Sequence, residues 1–392
     1  MSVSCTRERF TSQTVDQDKT GIAASDSLRP IYQQSWWLDI ARGQSEFRVF
    51  QVRKDGKVVG TLSYVQAQCA VSRMMPLSFS LGGSAHWTSL CEPDLDAALD
   101  EREKREVLQE LIRKLPRKVS FRFVVGPDSK DRELIKDAFR TAGFEHTTQT
   151  TYSERPGDID VKMRISAKHR YHLKRAKRDL EVLGTQPGDP AISAGAFINF
   201  YETNLCPGEK SYAPLDVARA LIEAGQKRGQ ARVFVARKKR TSEDDTNASW
   251  DAAIACVWDD SRLYYWMSAR RRGSQSNAAE KPHGDAIKLL VTTAISQARS
   301  LGRIFDADGV SIADGSLDKG KNTLYKTILK IPHEESRDVY SRPSWLYRSF
   351  TQLREKVRGP AKNIVARFGM YCTPAANKVP AERAAEDADE IG

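Results

Sequence analysis

Apolar and polar residues alternate in two separate stretches of the chain, and each stretch then changes to a helical period. In the first, FRVFQVRK (47–54) and KVVGTLSYV (57–65) flank Asp55-Gly56, two β-rich runs around a dipeptide suited to a tight hairpin turn. Beyond a Gly/Ser-containing loop from Leu81 to Thr88, residues 102–115 place Val107, Leu108, Leu111, Ile112 and Leu115 at helical spacing, and Pro116 ends that helix. Val119, Phe121, Phe123 and Val125 then alternate with Ser120 and Arg122, which predicts a strand. Leu134, Ile135, Ala138, Phe139 and Ala142 form a second amphipathic helix closed by Gly143, and FEHTTQTTY (144–152) predicts a Thr-rich final strand.

The second stretch repeats that order. ARVFVARK (231–238), AAIACVW (252–258) and RLYYWMSA (262–269) predict an antiparallel meander. In the helix that follows, Ile287, Leu290, Val291, Ala294, Ile295 and Ala298 share one face, with Asp285 as N-cap and Gly302 just past the end. RIFDADG (303–309) is the next strand and its exit, TLYKTIL (323–329) a short helix, and DVY (338–340) a closing strand. The expected fold class is α/β (α+β): two tandem copies of one unit, each a mixed, mostly antiparallel sheet flanked by helices, joined by a basic helix over 163–181. The expected boundaries are a flexible arm over 1–28, an N-terminal domain over 29–157 and a C-terminal domain over 158–345. A basic amphipathic segment over 346–378 and a disordered acidic tail over 379–392 follow. The stretch 185–230 receives no element on this reading.

A chain of 392 residues that is 40% hydrophobic has apolar material for more than one core. No window approaches the roughly 18 uninterrupted apolar residues of a membrane span, and the polar start lacks the apolar core of a secretory signal. The six cysteines lie far apart with no CxxC pair, which fits unpaired thiols in a reducing, cytoplasmic setting. The six histidines show no metal-ligand spacing, and the D-A-D-G-V-S run from Asp306 lacks the glutamate that closes a calcium loop, so no metal is expected. The net charge of +11 is concentrated: Lys162 to Arg178 carries eight Lys or Arg and no acid. Like charges at helical spacing repel, so this run reads either as a defined site for an anionic ligand or as a solvated linker helix satisfying acids on both domains. Arg170 and Arg175 are the candidates for gripping phosphate, because a guanidinium can do so bidentately.

Meander, central helix, strand, second helix and final strand is an order that resembles the GNAT acyltransferase fold. Two such units with a basic connecting helix resemble the FemAB-like transferases and the related BioF-type acetyltransferase-domain proteins. The resemblance runs from about Trp36 to Tyr340. It rests on SWWLDI (35–40) before the hairpin, on MRISAKHRYHLKRAKRDLEVLG (163–184), and on PHGDAIKLLVTTAISQARSLG followed by FDADG and LYK (324–326). It implies two GNAT-like domains in a cytoplasmic acyltransferase. Such an enzyme transfers an acyl or aminoacyl group from acyl-CoA or aminoacyl-tRNA to an amine of a cell-envelope sugar or peptide precursor, by direct attack. One feature departs from the GNAT pattern, in which a glycine-rich turn before the central helix cradles the CoA pyrophosphate. Here ARRRGSQSNAAEKPHGDAI (269–287) places Arg271, Arg272 and Gly273 more than ten residues before the helix and leaves Gly284 alone, so the donor stays open.

Asp306 and Asp308, at the end of a hydrophobic strand, are candidate bases for the acceptor amine; equally, Asp-x-Asp-Gly is ordinary turn chemistry. Lys326, beside Tyr325, is placed to steady an oxyanion or a phosphate, or is one exposed lysine among many. The resemblance to the family's aromatic-Lys element is what raises this pair. His283, just before the central helix, is a candidate base or a solvated loop residue. Tyr264 and Trp266 share a strand face while Tyr265 points the other way, toward a cleft or into the core. No Ser–His–Asp or Cys–His arrangement suggests an acyl-enzyme. The segment from Trp345 to Phe368 is a basic amphipathic helix broken at Gly359-Pro360, suited to an anionic membrane surface or to docking on its own domain. The expected partners are an anionic or nucleotide-linked substrate, with tRNA and peripheral membrane contact both open. The competing reading is a non-catalytic RNA- or nucleotide-sugar-binding protein that retains the fold. Acceptor and oligomeric state stay open.

Overall fold

Each copy builds its expected elements and then gives its last strand to the other. The computed structural model describes residues 11–15, 30–41, 46–66, 87–90, 92–116, 120–185, 192–205, 214–239, 250–272, 282–307, 312–313, 316–317 and 322–343. In the first copy the hairpin is β2 (Glu46–Lys54) and β3 (Lys57–Gln66). Asp55 and Gly56 between them both have positive φ, 51° and 79°, as a tight primed turn requires. β4 (Trp87–Leu90), α2 (Glu101–Lys114), β6 (Ser120–Val125), α3 (Arg132–Thr141) and β7 (Glu145–Glu154) follow. A small strand, β5 (Asp94–Leu95), pairs with β3. α2 starts at a full capping box, Asp100 accepting from the Glu103 N–H and Glu103 accepting from the Asp100 N–H. Its Val107 lies against Gly60 of β3, where a Cβ would come within 2.4 Å of a valine methyl.

The second copy is β9 (Ala231–Lys238), β10 (Trp250–Trp258), β11 (Arg262–Arg270), α8 (Ala286–Ser300), β12 (Ile304–Asp306), a π-helix over Thr323–Ile328, and β15 (His333–Arg342). Two short strands, β13 (Ile312–Ala313) and β14 (Ser316–Leu317), pair apart from the main sheet.

One sheet holds both copies, in the order β1-β2-β3-β4-β6-β15-β7-β12-β11-β10-β9-β8, with β1 (Thr11–Val15) and β8 (Leu180–Leu183) at its ends. β15 lies antiparallel between β6 and β7, and β7 lies antiparallel between β12 and β15. The penultimate strand of each copy therefore pairs with the last strand of the other. The β7–β15 ladder runs from Glu145 opposite Ser341 to Ser153 opposite His333, which centres the exchange on Gln149 and Arg337. Chain segments in 11–342 belong to one compact unit. Thr11–Val15, within the expected flexible arm, forms an edge strand on β2.

The basic connector is two helices rather than one, α4 (Val161–Arg164) and α5 (Ala167–Asp179). The break falls where the Ser166 hydroxyl accepts the His169 N–H at 3.4 Å and so restarts the helix as an N-cap. The unassigned stretch contains α6 (Ala194–Asn204) and α7 (Leu215–Lys227). On one face of the second half, α5 and α8 cover a core that includes Leu173, Ala176, Tyr265, Leu289, Leu290, Phe305 and Tyr325. On the other face α6, α7 and α1 (Ser35–Ala41) enclose Trp37, Phe197, Leu221, Tyr264 and Trp266. The first half has its own core around Leu108, Phe121, Ile135, Phe139 and Tyr340, the last supplied by β15. No helix among the described residues is long and apolar enough to cross a membrane.

Candidate functional site

β11 and β12 run parallel but pair only from Arg262–Tyr264 to Ile304–Asp306. Immediately beyond, the β10–β11 register skips Trp266, a bulge that turns β11 and places Trp266 and Met267 on the same side. From Tyr265 to Arg270, among the described residues, β11 keeps ladder partners only on β10. Among the described residues its other edge has no ladder partner there, at the carboxyl end of the parallel pair.

α8 begins at this same end. Asp251, the second residue of β10, ties the end of β11 to the approach to α8: it accepts from Arg271 at 2.7 Å and from the backbone N–H of His283 at 3.1 Å. Arg271 is thus engaged by a fully buried carboxylate. Asp285 occupies the N-cap position, yet its side chain makes no cap hydrogen bond. Its Oδ1 accepts from Lys288 at 2.6 Å and its Oδ2 from Arg175 at 3.4 Å. Burial pushes the Asp285 carboxyl up, but the Lys288 hydrogen bond and charge, with His172 and His283 nearby, outweigh it and hold the group below the usual range.

The inner face of α5 lies over this helix start. His172 Nδ1 stands 3.3 Å from Asp285 Oδ2 but out of line for a hydrogen bond. His169 Nδ1 and Arg175 Nε are likewise buried nitrogens without a hydrogen-bond partner. Burial, then the positive charges of Lys288, His172 and Lys168, hold the His169 imidazole below its ordinary pKa. These three nitrogens lie beside the α8 N-terminus, where a guanidinium or a protonated imidazole can donate a hydrogen bond. His283 precedes that terminus: its Nδ1 accepts the Asp285 N–H at 3.2 Å and its Nε2 lies 3.6 Å from Asp179. Arg175 and His283 are therefore brought together, but Arg170 is not. It is on the outer face of α5, donating to the Ile165 carbonyl at 2.7 Å.

The two predicted tyrosines meet as well. Tyr265 and Tyr325 are buried with ring centroids 6.4 Å apart, and Tyr325 lies 5.9 Å from Tyr152 of β7. The Tyr152 backbone carbonyl accepts the Ala307 N–H at 2.9 Å, so its ring stands where β12 ends, and its hydroxyl donates to Asn322. Burial, then the charge of Glu334, raise the Tyr152 pKa against the opposing pull of Lys326, so the phenol stays protonated near neutrality. Sequence reading passed over Tyr152 because it closes a Thr-rich strand whose partner comes from the other copy. Lys326 is exposed on the π-helix and pairs with Glu334 at 3.0 Å.

Asp306 is placed elsewhere. Its carboxylate is fully buried and accepts from Arg337 at 2.6 Å, Thr151 at 2.7 Å and Arg262 at 3.0 Å. Arg262 also binds Glu335 at 3.0 Å and Asp128, while Arg337 lies over the Tyr264 ring. Phe305 and Ala307 belong to the core under α5 and α8; Asp306, between them, lies among groups of the opposite face with Tyr264. Held by two guanidinium groups on that face, its carboxylate ties β12 to Arg262 of β11 and Arg337 of β15. The other strand-end carboxylate, Asp308, lies outside the described residues, as do 346–378. Among the described residues no group of three or more His, Cys, Asp or Glu gathers as a metal site.

No family model and no curated protein matches the sequence. Among solved structures the chain is similar to FemX, with a TM-score of 0.53 at 13% identity over 82% of this chain and 94% of that one. A tandem GNAT protein from the clavulanic acid biosynthesis pathway matches at a TM-score of 0.47, with 11% identity over 85% of this chain and 98% of the other. The C-terminal domain of a putative lysylphosphatidylglycerol synthetase from Agrobacterium fabrum matches at 0.44, with 12% identity over 79% and 92%. The fold assignment rests on the first of these. The chain shares the fold of FemX, with one mixed α/β unit occurring twice in tandem.

Proposed function

We propose that this protein transfers an acyl or aminoacyl group to an amine, with a phosphate-bearing donor, acyl-CoA or aminoacyl-tRNA, held at the start of α8. The observation that carries this is the meeting, at one end of the sheet, of the open β11 edge, the α8 N-terminus and the unmatched inner nitrogens of α5. Donor phosphate would take His169, His172 and Arg175 as partners, with Lys288 adding positive charge. A carbonyl oxygen against the β11 edge would find backbone N–H groups, which stabilise the negative charge that develops as the amine adds. The Tyr152 phenol, protonated at neutral pH, does not suit proton abstraction, and to donate to a departing group its hydroxyl would have to turn from Asn322. His283, beside the α8 start, remains a candidate and Lys326, paired with Glu334, a candidate by resemblance; the acceptor is assigned as the amine of a cell-envelope sugar or peptide precursor by resemblance alone.

A second reading is a non-catalytic binder of RNA or a nucleotide-sugar, and one observation favours it: the rings of Tyr152, Tyr265 and Tyr325 are buried together beside the end of β12. Thermal-shift titrations with acyl-CoAs, charged tRNA and UDP-sugars distinguish the two. A ligand at about 100 times its Kd stabilises by about 2.7 kcal/mol. The proposal expects one donor class to raise the melting temperature, the Arg175→Ala variant to lose that rise, and acyl transfer to an amine to accompany it. Binding of RNA or nucleotide-sugar alone, with no transfer, would establish the second reading.

A further inference from the structure

α5 has two working faces. Leu173 and Ala176 are buried and His169, His172 and Arg175 are half-buried, whereas Lys168, Arg170, Tyr171, Lys174, Lys177 and Arg178 are exposed, Arg170 donating to the Ile165 carbonyl and Arg178 pairing with Asp179. The outer face has a composition that a solvated helix does not need. Among the described residues five large hydrophobic side chains are exposed, and three of them fall in this one stretch: Ile159 at 69%, Met163 at 75% and Tyr171 at 63%. Around them, Lys162, Lys168 and Lys174 are exposed; Asp160, 3.8 Å from Arg299, is the one acid of residues 159–178, and none occurs from Lys162 to Arg178.

We propose that the surface formed by residues 159–178 docks on an anionic phospholipid bilayer, with Ile159, Met163 and Tyr171 entering the headgroup boundary and the lysines facing lipid phosphates. Charge complementarity selects an anionic partner, and the apolar members select among anionic partners. Isoleucine and methionine gain free energy by leaving water for the acyl boundary. A nucleic-acid strand would instead call for stacked aromatic platforms, and the stretch exposes a single aromatic ring. Lysine and tyrosine are also the residues that settle at the level of headgroups. Because the inner face of the same helix completes the cleft at α8, docking would hold that cleft next to the membrane surface. The proposal stands whether or not the cleft is a transferase site.

The test is co-sedimentation of the full chain with phosphatidylcholine vesicles and with vesicles containing 30% phosphatidylglycerol, over a range of salt, using about fivefold in partitioning per surface cation as the guide. The expected result is binding to the anionic vesicles that weakens with salt, a loss of about 25-fold or more in Lys168→Glu/Lys174→Glu, and a loss of at least tenfold in Ile159→Asp/Met163→Asp. All four side chains are exposed, so both variants should melt with the wild type, which the same samples check. Unchanged vesicle binding in both variants would overturn the proposal by placing the contact elsewhere in the chain. Two further results would also overturn it: equal binding to neutral vesicles, and binding to bulk RNA that survives Ile159→Asp/Met163→Asp in a protein that ignores vesicles.

Discussion

Replacing Asp306 with asparagine tests whether its carboxylate serves the fold or the chemistry. The group is fully buried and accepts three hydrogen bonds, from Arg262, Arg337 and Thr151. Hydrogen bonds to charged groups contribute about 1.5–3 kcal/mol each, and breaking a buried ion pair by removing one partner costs about 3–5 kcal/mol. Arg262 keeps Asp128 and Glu335, so the loss falls mainly on Arg337, and the amide oxygen can still accept one bond. About 3 kcal/mol is therefore expected. With a urea slope of about 3 kcal/mol per molar for a unit of this size, the midpoint should fall by about 1 M. The assay is equilibrium urea unfolding of wild type, Asp306→Asn, Arg337→Met and the double variant. The double variant should be less destabilised than the sum of the singles by about 1–2 kcal/mol, because the two share one interaction. A loss below about 1 kcal/mol in Asp306→Asn, combined with abolished acyl transfer in folded protein, would refute the anchoring role and return Asp306 to the cleft.

Glu154 should behave in the same way. Its side chain is fully buried and is held by Arg164 and by Arg299 at 2.9 Å, so Glu154→Gln is expected to cost about 3–5 kcal/mol in the same unfolding assay. Anionic-ligand affinity should rise as pH falls from 8 toward 6. His169 has a depressed pKa in the free protein, a bound phosphate supplies the counter-charge that raises it, and binding therefore takes up a proton; titration calorimetry in buffers of different ionisation enthalpy reads that uptake. Without ligand the same depressed pKa favours the folded state above about pH 6.5 and gives up that contribution as pH falls through the folded value. Asp338 should show the acid counterpart. Burial raises its pKa, but Arg132 and His146 (2.8 Å) more than offset this, so its contribution is present above about pH 4 and lost as pH falls through the lowered value. Asp338→Asn should flatten that part of the stability–pH curve, and an unchanged curve would contradict the pairing.

Most elements were legible because their signals are local. The Asp55-Gly56 turn, the Pro116 stop and the Gly302 exit (φ 66°) depend on backbone geometry set within a few residues. The helices α6 and α7 also carried a readable stripe, with Phe197, Ile198 and Tyr201 buried on one and Ala218, Leu221 and Ile222 on the other. The basic run was visible, though not its division at Ser166 or the separation of Arg170 from Arg175 onto different faces. Trp266 reads as one more alternating residue; that it is the extra residue of a bulge depends on its pairing with β10.

The sequence by itself determined that a meander, helix, strand, helix and strand occur twice, since periodicity and turn chemistry act within each segment. Tertiary structure alone decided which strands meet. A β-strand presents the same hydrogen-bonding edge to any partner, so nothing local in β7 or β15 states that each completes the other copy's sheet. That choice buries Asp306 between Arg262 and Arg337 and carries Tyr152 to the end of β12, beside Tyr325.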